Sequence, residues 1–363
     1  MDMTPASTGP ARLYAMLLRL RPMQPGTLMP FSGKLAQGAF LTWLHATAPD
    51  VATWLHDGSK RRLFTCSSLH FSPSLQPSLK AERENIHLPL DPQKVYPPRL
   101  TLLLGDLFPL FYKALTQFTP PQTGSATPPF VRLGKQIFLL EEVLLANDDP
   151  SGWIGFTSLT SLVEKAKQMT FGCAASLTLE FGSLTTFCRG NNRTGYGIPH
   201  SAVIFGGSLP KPVYIAEMVI TSALQSRLGR HSRCKLRNVG GMQHVMLPLP
   251  QLVFQSLLKR WQDIAPPELI DLIQAERLEE YLQKDGVIIT DYTLTAHHVH
   301  FSTHQQPGFV GTCTYQLRGL NDKATTNTPL TLQQQVYLLA QLAFYSGIGY
   351  KTAMGLGQAR LRE

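Results

Sequence analysis

Cysteine and charge are both scarce in this sequence. The five cysteines are scattered, and no two of them form a C-x-x-C pair. This pattern argues against a zinc knuckle and favours a reduced, cytoplasmic compartment. Charged residues make up only 16% of the chain, a fraction too low for a disordered basic tail.

Long apolar runs and acidic clusters are also lacking. No apolar stretch follows a basic start, so we expect no signal peptide, and no uncharged apolar run is long enough to span a membrane. No close group of Asp and Glu suits a pair of magnesium ions. We therefore expect neither a metal nor another cofactor.

The residues that are present indicate a basic, globular protein. The 363 residues suit two domains or one large one, and an apolar fraction of 43% is enough for a core. The formal net charge of +9 favours a polyanionic partner.

Residues 347–357, called the glycine loop below, contain four glycines around one lysine. Such a loop lets its backbone approach another backbone closely, and its N–H groups can face an anion. Lys351 within the loop and Arg360 after it add positive charge. The segment before the loop is predicted to be a helix, because Thr331 and Gln334 form a capping box ahead of an apolar stripe. A flexible C-terminal turn is the alternative.

Two familiar phosphate-binding motifs do not fit this loop. A Walker A loop requires glycine immediately before the lysine, where Tyr350 stands. A dinucleotide-binding fingerprint requires glycine at the position of Thr352. That fingerprint also follows a strand, whereas a helix is predicted before this loop.

The order of helix, glycine loop and strand instead resembles the glycine-rich loop of the repeat-associated RNA-binding (RAMP) superfamily of CRISPR systems. Within it, the sequence is most similar to the CRISPR-associated endoribonuclease Cas6 family, which cuts repeat RNA out of a longer precursor. Residues 38–45, 48–56 and 62–67 carry the second part of the resemblance. They are similar to the family's first helix, second helix and following strand.

The resemblance implies roles for individual residues. In several members the catalytic histidine ends the second helix, which is the place of His56. A helper lysine lies just ahead of the following strand, where Arg62 or Lys60 stands. Leu41 occupies the place of a tyrosine that is catalytic in some members, so the sequence departs from the family there and the detailed mechanism stays open.

The residues around His56 suit ribonuclease chemistry by themselves. A histidine can act as general acid or base near neutral pH, and Lys60, Arg61 and Arg62 can stabilise charge on a phosphate. His45 is a second candidate, with a plain helix-surface histidine as the alternative. The three cations can equally form a solvated turn, or grip RNA phosphates without taking part in chemistry.

The remaining pattern predicts an α+β fold of two tandem ferredoxin-like (RRM-like) domains, 1–165 and 166–363. Each half contains strand, helix, strand, strand, helix and strand in that order. Residues 70–98 are predicted to be loop and edge strand. Residues from about 190 to 246 lie outside the resemblance and are interpreted as an insertion with a possible short helix at 215–228.

Basic residues elsewhere are further candidates for RNA contact. Arg230 and Arg233 in the insertion can grip RNA or belong to an ordinary solvated loop. Lys259 and Arg260 are predicted on the solvated or RNA-facing side of a helix over 250–263. The full set of predicted RNA-binding residues is Gly347, Gly349, Lys351, Gly355, Gly357, Arg360, Arg61, Lys259, Arg260, Arg230 and Arg233.

His298 and His300 share one face of a predicted strand over 287–301. They could be two ligands of a zinc ion, but no acidic or cysteine third ligand is visible nearby. RNA contact or simple exposure is the preferred interpretation.

From the resemblance we expect a metal-independent endoribonuclease that cuts CRISPR repeat RNA and leaves a 2′,3′-cyclic phosphate and a 5′-hydroxyl. A non-catalytic RNA-binding subunit of a CRISPR effector complex is the main alternative. A small-molecule enzyme would need a closed apolar pocket, and the sequence marks none. Besides RNA, the resemblance allows effector-complex subunits and, as a homodimer, a second copy of the chain as partners.

Overall fold

The computed structural model describes residues 11–57, 62–71, 76–117, 129–146, 151–172, 174–189, 243–301, 303–319 and 329–362. Met1–Cys188 and His244–Glu363 form one compact unit, and Arg189–Gln243 are assigned to a second. The predicted helix at 215–228 and most of the predicted insertion lie outside the described residues. Lys60, Arg61, Arg230 and Arg233 also lie outside them.

The first half begins with a long central strand and returns to it repeatedly. Its elements are β1 (Arg12–Pro22), β2 (Gly26–Leu28), α1 (Gly33–Thr47), α2 (Pro49–His56), β3 (Phe64–Cys66), α3 (Gln76–Glu84), β4 (Leu88–Leu90), β5 (Arg99–Leu102), α4 (Leu107–Gln117), β6 (Phe130–Leu133), β7 (Gln136–Leu144), β8 (Gly155–Ser158) and α5 (Leu159–Gln168).

The strand order of the first sheet is that of a ferredoxin-like domain. The order is β3-β5-β1-β7-β6, and every pair is antiparallel. β8 pairs with the first residues of β1, and β7 pairs with the last ones. The near-continuous apolar run of β1 is explained by its burial, because consecutive residues that point to opposite faces of the sheet are buried over most of the strand. The predicted boundary near Lys165 falls within α5.

The second half repeats the pattern with longer strands. Its elements are β9 (Ala174–Thr185), β10 (Phe187–Arg189), β11 (Gln243–Val245), α6 (Pro250–Ile264), α7 (Pro267–Ile270), α8 (Ala275–Gln283), β12 (Val287–His300), β13 (Gln305–Arg318), α9 (Leu332–Ser346), a 3-10 turn (Thr352–Met354) and β14 (Ala359–Arg362). The sheet order β12-β13-β9-β14 again corresponds to a ferredoxin-like domain. The predicted fold class is therefore confirmed.

The start of α9 follows the predicted capping box. The Thr331 hydroxyl accepts from the Gln334 N–H at 3.2 Å, and the Gln334 side chain accepts from the Thr331 N–H at 2.9 Å. Two N–H groups at the helix start are thereby satisfied, which places the first turn of α9 firmly. Nearly every residue of α9 is buried, including Val336, Leu339 and Ala343.

Helix α3 was not predicted. The sequence indicated loop and edge strand for residues 70–98, because proline and serine are frequent there. The structure instead places α3 against β12, where Glu82 and Arg83 contact two histidines of that strand. A contact with a strand more than 200 residues away stabilises this short helix, and local propensity does not report such a contact.

A buried arginine joins the two halves. Arg99 of β5 is 1% exposed, and its guanidinium donates to Trp153 O, Gln358 Oε1 and Phe344 O. The rings of Trp153 and Phe344 lie against it, with its central carbon 5.4 and 4.5 Å from their centroids. Burial lowers the pKa of Arg99 to about 9. This residue ties the first sheet to α9 and to the segment after the glycine loop.

Candidate functional site

Helices α1 and α2 form an open cleft of about 460 Å³ between them. We call it the histidine cleft, and its lining residues are Leu41, Thr42, His45, Ala52, Thr53 and His56. Leu41 and His45 are one helical turn apart on α1, and Ala52 and His56 are one turn apart on α2. Two histidines that the sequence singled out separately are thus brought to one cavity.

Each of the two helices buries an apolar face in the core and leaves its histidine on the exposed side. Phe40, Trp43 and Leu44 bury α1, and Leu55 buries α2, so His45 and His56 lie on the exposed sides. Helix α2 begins with Pro49 at its first turn, which suits the fixed φ of proline. Each histidine lies in the last turn of its helix.

Among the side chains that line the histidine cleft, the two imidazoles are the ones suited to acid–base chemistry. The hydroxyls of Thr42 and Thr53 each donate to a carbonyl of their own helix at 2.8 Å. Leu41 presents an apolar wall without a hydroxyl. An acid and a base can therefore both come from histidine here.

Arg62 lies at the entry to β3 and is not among the described residues that line the cleft. Its carbonyl oxygen accepts from Arg260 Nη1 at 2.9 Å. Its Nε is buried with no hydrogen-bond partner in the described structure. Burial lowers the pKa of the Arg62 guanidinium, and Cys66 opposes the shift. The structure thus fixes the backbone of Arg62 and buries part of its guanidinium.

Arg260 does not face solvent, which corrects the prediction. It is 8% exposed, and its two terminal nitrogens donate to Arg62 O at 2.9 Å and to Thr352 Oγ1 at 2.8 Å. It therefore connects the loop after His56 with the glycine loop. Lys259, its neighbour, is exposed as predicted.

The glycine loop is packed against the protein itself. Gly349 has φ +87°, and a Cβ there would lie 2.5 Å from Thr186 O. Gly357 has φ +68°, and a Cβ there would lie 2.1 Å from Ile348 O. The backbone that glycine allows to come close is therefore that of this chain.

Most of the loop's N–H groups are used by the fold. Gly347 N donates to Ala343 O, Gly349 N to Ser256 Oγ, and Gly357 N to Leu184 O, at 2.8 to 2.9 Å. The prediction that the loop's backbone N–H groups face an anion is wrong for these three glycines. Gly355 has φ +98° and packs against Gly33 of α1, where its Cβ position would lie 3.0 Å from Gly33 Cα.

Arg360 is also engaged within the protein. Its Nε donates to Glu180 Oε2 at 2.9 Å, and its Nη1 donates to Ser151 O at 2.9 Å and Gly152 O at 2.7 Å. Its guanidinium lies 4.5 Å from the centroid of the Trp153 ring. These contacts engage Nε and Nη1 of Arg360 within the fold, and its contact with RNA stays a prediction.

Lys351 is the charged residue that the loop presents. It adopts a left-handed conformation with φ 55° and ψ 38°, and its Nζ lies 3.2 Å from His304 Nε2. The same Nζ lies 4.0 Å from the centroid of the Phe301 ring. Sequence reasoning missed His304, and the available signal was a histidine in the turn between two long paired strands.

Two histidines of β12 contact helix α3. His297 is buried, with Nε2 2.9 Å from Glu82 Oε2, and His300 Nε2 lies 3.2 Å from Arg83 O. The rings of His298 and His300 are 5.4 Å apart. Within the described part of the chain, no group of three or more His, Cys, Asp or Glu residues could hold a metal ion.

Comparison with known proteins concerns mainly the second half. Residues 230–359 match the model of the family described as CRISPR-associated endoribonuclease Cas6. This segment is Cas6-like. A CRISPR-associated endoribonuclease Cas6 of Streptococcus thermophilus is 31% identical over 124 residues, which are 33% of this chain and 44% of that protein. The aligned part thus spans less than half of the relative's length. The two matches confirm the resemblance to the Cas6 family that the sequence indicated.

Solved Cas6 structures extend the likeness to the whole fold. A Cas6 product complex superposes with a TM-score of 0.62 at 22% identity, over 97% of this chain and 100% of that one. Thermus thermophilus Cas6 gives 0.55 at 21% identity, over 98% and 100%. A Cas6 substrate mimic complex gives 0.52 at 21% identity, over 97% and 100%. At these identities the likeness establishes the fold.

The Cas6-like segment contains Lys259, Arg260 and the glycine loop, whereas the histidine cleft lies before it. None of the helices that the structure describes has both the length and the hydrophobicity needed to cross a membrane.

Proposed function

We propose that this protein is a metal-independent endoribonuclease that cuts CRISPR precursor RNA within its repeats. The observation that carries the proposal is the pairing of His45 and His56 in one open cleft. The Cas6-like second half supports RNA as the substrate. The net charge of +9 suits a polyanion.

The chemistry follows from two imidazoles beside one phosphate. One imidazole takes the proton of the 2′-hydroxyl, and the 2′-oxygen attacks the adjacent phosphorus. The bond from phosphorus to the 5′-oxygen breaks, and the other imidazole donates a proton to that oxygen. The products are a 2′,3′-cyclic phosphate and a 5′-hydroxyl, and DNA is not cut because it lacks the nucleophile.

A cation is needed for the negative charge that builds up on the phosphate oxygens. Arg62 and Lys60, which stand just ahead of β3 in the sequence, are our candidates for this cation. Lys259 and Lys351 would bind the RNA backbone away from the cut. Subunits of an effector complex and a second copy of the chain remain predicted partners.

The test is cleavage of a panel of end-labelled repeat RNAs in excess EDTA. Wild type is compared with His56→Ala, His45→Ala and the control His87→Ala, which removes an exposed histidine outside the cleft. Each RNA is paired with a version that carries a single 2′-deoxy substitution at the cut site. We expect wild type and the control to cut in EDTA, only where the 2′-hydroxyl is present, and both cleft variants to lose about 10²–10⁴-fold in rate.

Two other outcomes would overturn the proposal. Tight RNA binding without cutting would assign the chain to the class of non-catalytic RNA-binding subunits. Cutting that disappears in EDTA would show that the reaction depends on a metal.

A further inference from the structure

A second group of titratable side chains surrounds Lys351, away from the histidine cleft. It combines the glycine loop with the turn between β12 and β13. We call it the lysine cluster, and its members are His244, Phe301, His304, Tyr350 and Lys351. All of these residues belong to the same compact unit.

The hydrogen bonds of the cluster define its protonation at neutral pH. Lys351 Nζ donates to His304 Nε2 at 3.2 Å, so the His304 proton lies on Nδ1 and can be donated to Thr303 Oγ1 at 3.0 Å. Gln306 Nε2 donates to His244 Nδ1 at 3.1 Å, which leaves the His244 proton on Nε2. Both imidazoles are therefore neutral beside a charged lysine.

The cluster brings together three groups that can each carry a positive charge, and the charge of Lys351 lowers the tendency of both imidazoles to do so. Burial lowers the pKa of His304, and Lys351 lowers it further. Burial, Lys351 and His304 together lower the pKa of His244. The pKa of Lys351 is lowered by burial and by Lys34, and Cys188 acts in the opposite direction.

No carboxylate balances these groups in the described part of the structure. The ion pairs found there involve neither Lys351 nor the two imidazoles. Tyr350 is neutral, with its pKa raised by burial and by Cys188. A site that gathers three nitrogen bases without an acid is suited to a ligand that brings negative charge.

We propose that Lys351, His304 and His244 form a phosphate-binding subsite for RNA that takes up a proton when the phosphate binds. The inference rests on RNA being the substrate. A phosphate oxygen beside Lys351 would accept from its ammonium group. His304 would then lose the lysine as a donor, and its Nε2 would gain a proton and donate to the same phosphate.

Helix α1 separates this subsite from the histidine cleft. Lys34, in the first turn of α1, acts on Lys351, and a Cβ on Gly33 would lie 2.1 Å from Met354 O of the loop. His45 lies eleven residues after Lys34 on the same helix. At 1.5 Å per residue, the two ends are about 16 Å apart. The subsite would therefore hold a phosphate several nucleotides from the scissile one.

The test measures binding of an uncleavable repeat RNA, with 2′-deoxy at the cut site, between pH 8 and pH 6. Wild type is compared with His304→Gln and His244→Gln, which keep hydrogen bonding but cannot become charged. The control is His87→Gln, which removes an exposed histidine that belongs to neither the histidine cleft nor the lysine cluster. A second RNA series replaces one linkage at a time with a neutral methylphosphonate.

We expect wild type and the control to bind about three- to sixfold more tightly at pH 6 than at pH 8, which is the effect over this range of raising one histidine pKa by one unit from at or just below its usual value. His304→Gln should lose most of this gain, and one methylphosphonate outside the cut site should abolish it in wild type. An equal pH dependence in His304→Gln and wild type would overturn the inference. If no variant binds RNA, the inference and the proposed function both fail. If wild type keeps pH-dependent binding but fails to cut the matching RNA with its 2′-hydroxyl intact, only the ribonuclease proposal is overturned.

Discussion

The histidine cleft and the glycine loop use their polar groups in opposite ways. The cleft exposes His45 and His56 on helices whose other faces are buried. Most residues of the glycine loop are buried, and most of its backbone N–H groups donate to acceptors within the chain. The cleft leaves its imidazoles available to a ligand, whereas the loop, Lys351 excepted, uses its polar backbone groups for the fold. Substitutions should therefore affect activity in the first region and stability in the second.

The largest effect is expected on cleavage in the histidine cleft. His56→Ala should reduce the cleavage rate by about 10²–10⁴-fold and change the free energy of unfolding by less than about 0.5 kcal/mol. Since acid and base act together, His45→Ala with His56→Ala should cost far less than the product of the two single losses. Single-turnover cleavage and chemical denaturation measure the two quantities. A large loss of stability in either single variant would show that the cleft histidines also serve the fold, which would contradict the difference between the two regions.

The next effect is expected on stability in the glycine loop. Gly357→Ala should destabilise the fold by roughly 3 kcal/mol, because φ is +68° and the new Cβ would meet Ile348 O at 2.1 Å. The matched change Gly38→Ala lies on the exposed face of α1, where nothing approaches within 4 Å. It should stabilise by about 0.5–1 kcal/mol, since alanine favours a helix more than glycine. Equal unfolding midpoints for the two variants would contradict the packing of the loop.

Arg260 and Lys259 are neighbours on helix α6, and we expect the first to affect stability and the second to affect RNA binding. Arg260→Met should cost about 2–3 kcal/mol of stability, because two hydrogen bonds to Arg62 O and Thr352 Oγ1 are lost. Lys259→Met should leave stability within about 0.5 kcal/mol and lower the salt dependence of RNA binding by about one phosphate contact. Denaturant unfolding and binding at several salt concentrations separate the two. If instead Arg260→Met lowered the salt dependence of RNA binding and left stability unchanged, Arg260 would be an RNA-binding residue as the sequence predicted.

The smallest effect is expected at Leu41. Leu41→Tyr adds a hydroxyl to the wall of the cleft, beside the two histidines that we propose as acid and base. We expect the cleavage rate to change by less than about tenfold, well below the effect of removing a catalytic acid or base. Leu41→Phe is the control for ring size. A rise of 100-fold for tyrosine alone would mean that the histidines do not supply both functions.

Much of the architecture could be predicted from local pattern. The capping box of α9 was read directly from Thr331 and Gln334, and the element order predicted both ferredoxin-like sheets. Helix α3 could not be predicted, because its contacts with His297 and His300 come from a strand in the other half of the chain. The pairing of His45 with His56 depends on the angle between two helices, which spacing alone does not define.

By itself, the sequence determined most of the strands and helices, α3 excepted, as well as where helix α9 begins and which loop needs glycine. These features depend on neighbours within a few residues, so local propensity and periodicity are enough. Only the tertiary structure decided that Arg99, Arg260 and Arg360 serve the fold while His45, His56 and Lys351 remain for a ligand. The physical reason is that a polar group's role depends on which distant donors, acceptors and rings surround it after folding.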